Sequence, residues 1–122
     1  MFVGGCAGGL ARYGVKSAFP ADDGFPWSTL GVNLAGAFLL AVLLVLSFDV
    51  LPPSAYVRPL LGTGFCGAFT TFSGITVASS ELTRDGSGGA AVGYVAASLL
   101  GGLAAGAVGL VAARSAVRVV TR

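Results

Sequence analysis

Residues 64–74 are the part of the sequence best suited to ion chemistry. They read GFCGAFTTFSG, so glycines, threonines and a serine interrupt an otherwise apolar segment. Glycine is costly inside a helix, and threonine and serine can hydrogen-bond to the local backbone instead. A helix that breaks here leaves carbonyls free to coordinate a cation and amides free to meet an anion. A glycine-rich face for helix packing is the other interpretation of this composition.

Two polar side chains in other apolar segments could act on an anion. Arg12 lies about two turns from the end of the first apolar segment. It either extends to the membrane surface or gives the mouth of an anion path a positive potential. Asn33 lies in the uncharged second segment. Its amide either hydrogen-bonds across helices or donates to a permeating anion.

The fourth apolar segment carries a polar stripe. Tyr94, Ser98 and Gly102 recur every four residues and therefore share one helical face. The two hydroxyls could replace part of the hydration shell of an anion, or they could simply link helices. Phe72 adds a ring edge with partial positive charge next to the threonine pair, although phenylalanine in membrane helices is usually packed or faces lipid.

The elements that position these side chains must be membrane helices. The chain has 122 residues, of which 55% are apolar and 10% charged, against about 25% charged in a soluble domain. Its mean hydropathy is +0.89. A spanning helix needs roughly 20 apolar residues. The sequence therefore predicts an all-α membrane protein with one transmembrane domain over residues 1–122 and a third helix broken near its middle. The four predicted spans cover approximately residues 2–19, 27–48, 56–82 and 90–113.

The charges flanking the spans predict an orientation. Four spans place both termini on one side of the membrane, and that side carries Arg58 and three C-terminal arginines. The opposite turns carry Lys16 and Arg84, together with Asp22 and Asp23. The positive-inside rule therefore places both termini in the cytoplasm and the chain in the cell membrane. The turns are marked by Pro20 to Pro26, by Asp49, Pro52 and Pro53, and by residues 83–89.

Several function classes do not fit this composition. A formal charge of +2, without a basic cluster among aromatics, excludes a nucleic-acid footprint. The two cysteines, Cys6 and Cys66, lie in apolar segments, and the chain has no histidine. We therefore expect small packing residues and not a zinc or redox site. The residues also offer no nucleophile–base pair or phosphate loop, so we expect no enzyme.

Three motifs occur in one order along the chain. Residues 4–13 read GGCAGGLARY, residues 29–36 read TLGVNLAG, and the third motif is the GFCGAFTTFSG stretch of residues 64–74. Together they resemble the Fluc/CrcB family of small bacterial fluoride channels, over most of the chain. The third motif is the most specific of the three.

The resemblance implies both a function and an assembly. Members of that family let cytoplasmic fluoride leave passively and so confer fluoride resistance. Their four-helix subunits form antiparallel dimers, with two fluoride paths along the interface and a structural sodium ion at its centre. Matched to this chain, the sodium ligands are the backbone carbonyls of Gly67 and Thr70. The matched anion path comprises Arg12, Asn33, Thr71, Phe72, Ser73, Tyr94 and Ser98.

This sequence departs from the family pattern at four positions, one of which is Gly74 where a threonine is usual. Ile75 stands where a second pore phenylalanine is usual, Ala78 where an acid is usual, and Gly102 where a second serine is usual. Each change removes a polar or aromatic contact, so one path is expected to be degraded. The charge bias suits a subunit with one fixed orientation. We therefore hypothesise a heterodimer with a related subunit.

Two other functions are compatible with parts of the sequence. A small proton-coupled multidrug exporter would also have four spans and an antiparallel dimer. It would need a deep carboxylate, whereas the acidic residues here all lie at or beyond the predicted span ends. A non-conducting subunit or scaffold is the third hypothesis, which glycine-rich helices alone would permit.

Overall fold

Every regular element that the computed structural model describes is helical. The described residues are 1–20, 24–52 and 55–122. Asp22, Asp23 and Pro53, which are predicted from the sequence to lie in turns, are outside the described residues. The helices are α1 (Phe2–Ala18), α2 (Trp27–Asp49), α3, α4 (Phe72–Arg84) and α5 (Gly88–Val120). We define α3 as a π-helical stretch, Arg58–Cys66, together with the short α-helical turn that follows it, Gly67–Phe69. The all-helical fold class is confirmed over this part of the chain.

Three stretches of the described chain are long and apolar enough to cross a membrane. They are Trp27–Asp49, Arg58–Arg84 and Gly88–Val120. The helix α1 is shorter, at 17 residues, and carries Arg12 and Lys16. These helices expose many large apolar side chains, as expected for surfaces that face lipid. A membrane protein is the conclusion that these lengths and compositions support.

Glycines bring α1 into backbone contact with α3. A Cβ atom added at Gly4 would collide with the carbonyl oxygen of Leu60, and one added at Gly8 would collide with that of Phe65. A Cβ at Gly64 would lie 2.7 Å from the carbonyl oxygen of Met1. Small residues permit this approach because nothing larger than hydrogen lies between the two backbones. The contact places α1, and with it Arg12, beside the third apolar segment.

The helices α2 and α5 pack side by side and run in the same direction. Leu34 contacts α5 at Gly101, and the carbonyl of Phe38 lies 2.7 Å from the position of a Cβ at Gly109. Both helices therefore advance together along the contact. Near its first third, α5 also packs on α4 through a cluster that contains Tyr94. This packing holds α2 against the segment that joins α3 to α4.

Candidate functional site

The backbone between α3 and α4 is extended at two consecutive residues. Thr70 has φ −80° and ψ 158°, and Thr71 has φ −151° and ψ 119°. Before them, the Thr70 N–H and hydroxyl both donate to the carbonyl of Cys66, at 3.0 and 2.8 Å. A β-branched side chain suits extended backbone because its rotamers are less restricted there than in a helix. We call Thr70 and Thr71 the interruption.

Thr71 also starts the next helix. Its Oγ1 accepts the N–H of Gly74 at 3.0 Å, which is the bond that an N-cap threonine makes. The same hydroxyl lies 3.1 Å from the Ser73 hydroxyl. One residue therefore ends the extended segment and satisfies an amide in the first turn of α4.

A side chain from α2 holds the backbone of the interruption. The Asn33 Oδ1 accepts the Thr71 N–H at 2.7 Å, and the Asn33 Nδ2 donates to the Thr71 carbonyl at 3.0 Å. The amide thus pairs with both main-chain groups of one residue, as a neighbouring β-strand would. One turn further along α2, Gly36 leaves room for the methyl group of Thr70. The Nδ2 keeps a second N–H for another partner.

The interruption diverts the donors of two carbonyls. In a continuous helix, the Thr71 N–H would donate to the carbonyl of Gly67, and the Gly74 N–H would donate to the carbonyl of Thr70. Instead, the first donates to Asn33 and the second to the Thr71 hydroxyl. Main-chain carbonyl oxygens are hard ligands of the kind that alkali cations prefer. The donor set at Gly67 and Thr70 therefore fits a sodium ion chemically.

Two cavities lie on either side of the interruption, and Thr71 lines both. The first, which we call the amide cavity, has a volume of about 360 Å³. Asn33, Thr70, Thr71 and Phe72 line it, and most of its remaining surface is glycine or aliphatic. Ile75, at the position where the family pattern has a second phenylalanine, also lines this cavity.

The second cavity, which we call the basic cavity, has a volume of about 410 Å³. Arg12 and Lys16 from α1 line it together with Thr71 and Ser73. The Arg12 Nη1 lies 3.5 Å from the Thr70 carbonyl, a long contact that leaves most of the guanidinium available. Two cations and two hydroxyls make this cavity an environment that attracts small anions.

Tyr94 and Ser98 lie outside the linings of both cavities. Tyr94 is fully buried, and the ring of Phe25 meets it edge to face at 5.6 Å. Ser98 is also buried, one turn further along α5. The two hydroxyls lie near each other, but neither makes a well-formed hydrogen bond with the residues that the structure describes. A buried hydroxyl without a partner costs about 1–3 kcal/mol, so this pair favours a polar occupant nearby.

The structure divides the predicted path residues into three groups. Asn33, Thr71 and Phe72 line the amide cavity, whereas Arg12, Thr71 and Ser73 line the basic cavity. Tyr94 and Ser98 form the third group, within the packing of α5 against α2 and α4. The side chain of Phe72 is 76% exposed, so it contributes a free ring to the surface of this subunit.

Sequence reasoning missed two residues that contribute to the site. It treats Lys16 only as a membrane-surface charge, but Lys16 lines the basic cavity with Arg12. The four-residue spacing of these two cations on one helix is the signal that could have identified it. Gly36, the last residue of the second motif, was given no role, although its spacing of three from Asn33 puts both on the face of α2 that contacts the interruption.

Comparison with known proteins identifies relatives over nearly the whole chain. The profile of a family described as "CrcB-like protein, Camphor Resistance (CrcB)" matches residues 1–110. "Fluoride-specific ion channel FluC" of Chlorobaculum tepidum is 50% identical over 105 residues, which are 84% of this chain and 82% of that protein. The protein of the same name in Gloeobacter violaceus is 43% identical over 118 residues, covering 94% of both chains. "Fluoride-specific ion channel FluC 3" of Streptomyces avermitilis is 46% identical over 115 residues, which are 93% of this chain but only 56% of that longer protein.

Proposed function

This chain belongs to the CrcB-like family, and we propose that it is a subunit of a fluoride-selective channel that lets cytoplasmic fluoride leave passively. The resulting loss of fluoride would confer resistance to the ion. The observation that carries the proposal is the interruption at Thr70 and Thr71, held by Asn33 between a basic cavity and an amide cavity. Transport of this kind needs no acid, base or nucleophile, and the chain is not an enzyme.

The finer architecture of the proposal has four spans in the cell membrane. The helix α1 is the fourth span, in addition to the three long apolar stretches, because its glycines pack it along α3. The third span is interrupted at the two threonines. The arginines near the end of α5, together with Arg58, support a cytoplasmic location for both termini.

Fluoride is small and strongly hydrated, so a path for it must replace water with several hydrogen-bond donors. The basic cavity offers the positive potential of Arg12 and Lys16 at its mouth. Beyond it, one hydroxyl of the Thr71–Ser73 pair can donate to the anion, because the other uses its hydrogen within the pair. The second N–H of Asn33 can donate on the side of the amide cavity. The exposed edge of the Phe72 ring can contact an anion where no polar donor is present. On this proposal, the unpaired hydroxyls of Tyr94 and Ser98 supply further donors.

We also propose that a sodium ion occupies the carbonyls of Gly67 and Thr70. Support comes from the diverted N–H groups of Thr71 and Gly74, which would otherwise engage those carbonyls. When bound, the ion would supply positive charge at the interruption and a link between subunits. Replacing sodium with N-methylglucamine should therefore lower the crosslinked dimer yield. Equal yields in both buffers would count against the ion.

An antiparallel dimer completes the proposed channel. Support comes from Phe72, whose side chain is 76% exposed beside an open cavity that a second subunit could cover. The excess of basic residues at the proposed cytoplasmic ends supports one fixed orientation and therefore a heterodimer with a related subunit. The departures at Ile75 and Gly102 fit one degraded path. Expression of this gene alone tests whether the dimer needs a related subunit. A stable antiparallel homodimer with full fluoride flux would refute it.

The decisive test of function is an efflux assay in liposomes that contain the purified chain. The proposal predicts release of fluoride, recorded with a fluoride electrode, without release of chloride from matched vesicles. If the single chain is inactive, the assay is repeated with a co-expressed related subunit before the outcome is decided. Proton-linked cation movement without fluoride release would support the multidrug-exporter alternative instead. That alternative is not favoured, because the relatives described above carry names of fluoride channels.

A further inference from the structure

The end of α5 carries a basic face that the proposed channel does not use. Arg114 and Arg118 lie on the helix, which ends at Val120, and Arg122 lies two residues beyond that end. Positions four residues apart lie on the same side of a helix, about 6 Å apart along its axis. All three arginines are exposed. We call these three residues the arginine face.

The packing of α5 on α2 sets the height of the arginine face relative to the membrane. The two helices run parallel, with Gly101 against Leu34 and Gly109 against Phe38. Continuing this register brings Arg118 level with the end of α2 at Asp49. The apolar span of α2 ends there, so the arginine face lies at the boundary between the acyl chains and water.

Arg58 is another arginine at this height, and its side chain is engaged by groups of the protein itself. Arg58 stacks on the ring of Phe48, with its guanidinium carbon 4.0 Å from the ring centroid. It also donates to the carbonyl of Ser47 at 2.9 Å, so its hydrogen-bonding capacity is partly used within the protein. In contrast, no side chain of the arginine face forms an ion pair or hydrogen bond within the described chain.

The apolar side chains next to the arginine face point to the chemistry of its partner. Val108 and Val111 are 59% and 64% exposed in the preceding turns of α5, on the membrane side of the arginine face. A surface that combines exposed guanidinium groups with exposed valines matches a layer of phosphates above acyl chains. It does not match nucleic acid, which offers phosphates without an apolar layer beneath them.

We propose that the arginine face binds the headgroups of anionic phospholipids. Guanidinium groups pair with phosphate through two parallel N–H···O bonds, and neighbouring arginines can share one headgroup or hold two. The valines extend into the adjoining acyl region. Binding of anionic lipid at this end of the protein would anchor α5 at a fixed height, independently of whether the channel conducts.

Native mass spectrometry of the full chain tests this proposal. The chain in neutral detergent is titrated with phosphatidylglycerol or with phosphatidylcholine, and bound lipid is counted. The wild type should bind phosphatidylglycerol preferentially. Arg114→Gln combined with Arg118→Gln should weaken that binding roughly five-fold per arginine removed, without changing phosphatidylcholine binding. Arg84→Gln, at the end of α4 and near the start of α5, is the matched control and should bind like the wild type.

Two further arms keep the result interpretable. Replacing both arginines with lysine keeps the charge and should retain most of the preference, which also guards against a variant that fails to fold. Inorganic phosphate at millimolar concentration should not displace the lipid, because it lacks the acyl chains. Unchanged phosphatidylglycerol binding in the double glutamine variant, equal loss in Arg84→Gln, or full displacement by inorganic phosphate would each overturn the proposal.

Discussion

Replacing Asn33 tests whether a side chain of α2 maintains the interruption between α3 and α4. Asn33 makes two hydrogen bonds with the backbone of Thr71, at 2.7 and 3.0 Å. Each such bond contributes about 1 kcal/mol net. Asn33→Leu keeps a similar volume but loses both bonds. We therefore expect it to lower the free energy of unfolding by about 2 kcal/mol, a roughly 30-fold change in the unfolding equilibrium.

Asn33→Asp separates the hydrogen-bonding role from the effect of charge. A carboxylate still accepts the Thr71 N–H, but it places an oxygen 3.0 Å from the Thr71 carbonyl, where the amide nitrogen donated. Two acceptors repel at this distance, so stability should fall at least as far as in Asn33→Leu. The added negative charge should also suppress fluoride flux below that of Asn33→Leu, because it repels the anion inside a low-dielectric path.

The single tryptophan, Trp27, provides the probe for unfolding. Its fluorescence is followed during titration with sodium dodecyl sulfate, and flux is measured on the same preparation with a fluoride electrode. Thr76→Val is a matched control, because it loses only a long 3.4 Å bond to the Phe72 carbonyl on an exposed face. Wild-type stability in Asn33→Leu would refute the claim that Asn33 holds the interruption. If Asn33→Leu kept its stability but lost fluoride flux, Asn33 would contribute to conduction and not to stability.

Three other substitutions test the packing and the capping of the site. Gly8→Ala should lower the free energy of unfolding by about 1–3 kcal/mol, because the new Cβ would collide with the Phe65 carbonyl. Gly9→Ala, whose Cβ meets nothing within 4 Å, should instead raise it by up to about 1 kcal/mol; equal effects of the two changes would contradict the close approach of α1 to α3. Thr71→Val should cost about 1 kcal/mol, since the Gly74 N–H loses the hydroxyl that accepts it at 3.0 Å. The same fluorescence titration measures all three, and an unchanged midpoint for Thr71→Val would exclude a capping role.

The helices themselves follow closely from composition. The sequence predicts the second span over residues 27–48, and α2 covers Trp27–Asp49. A continuous apolar run between prolines and charges leaves few other possibilities in lipid, where every backbone group must be paired internally. The end of α5 was less accessible to this reasoning. The predicted span ends at residue 113, where the arginines begin, but arginine is a good helix former and α5 continues to Val120.

The site depended much more on tertiary contacts. The residue types at positions 64–74 indicate a low helix propensity, because glycine and threonine both disfavour helix. They do not indicate which peptide leaves the helix. That choice involves Asn33, which is 38 residues away from Thr71 in sequence and close to it only after α2 has packed.

The sequence by itself determined that the helices lie in a membrane, roughly where they lie in the chain, and which residue types could act on an ion. These depend on hydrophobicity and local propensity, which are properties of single residues and short windows. Only the tertiary structure decided that Asn33 pairs with the Thr71 backbone, that Lys16 joins Arg12 in one cavity, and that the carbonyls of Gly67 and Thr70 lose their helical donors. The physical reason is that a hydrogen bond between distant segments exists only once packing has brought its donor and acceptor within about 3 Å of each other.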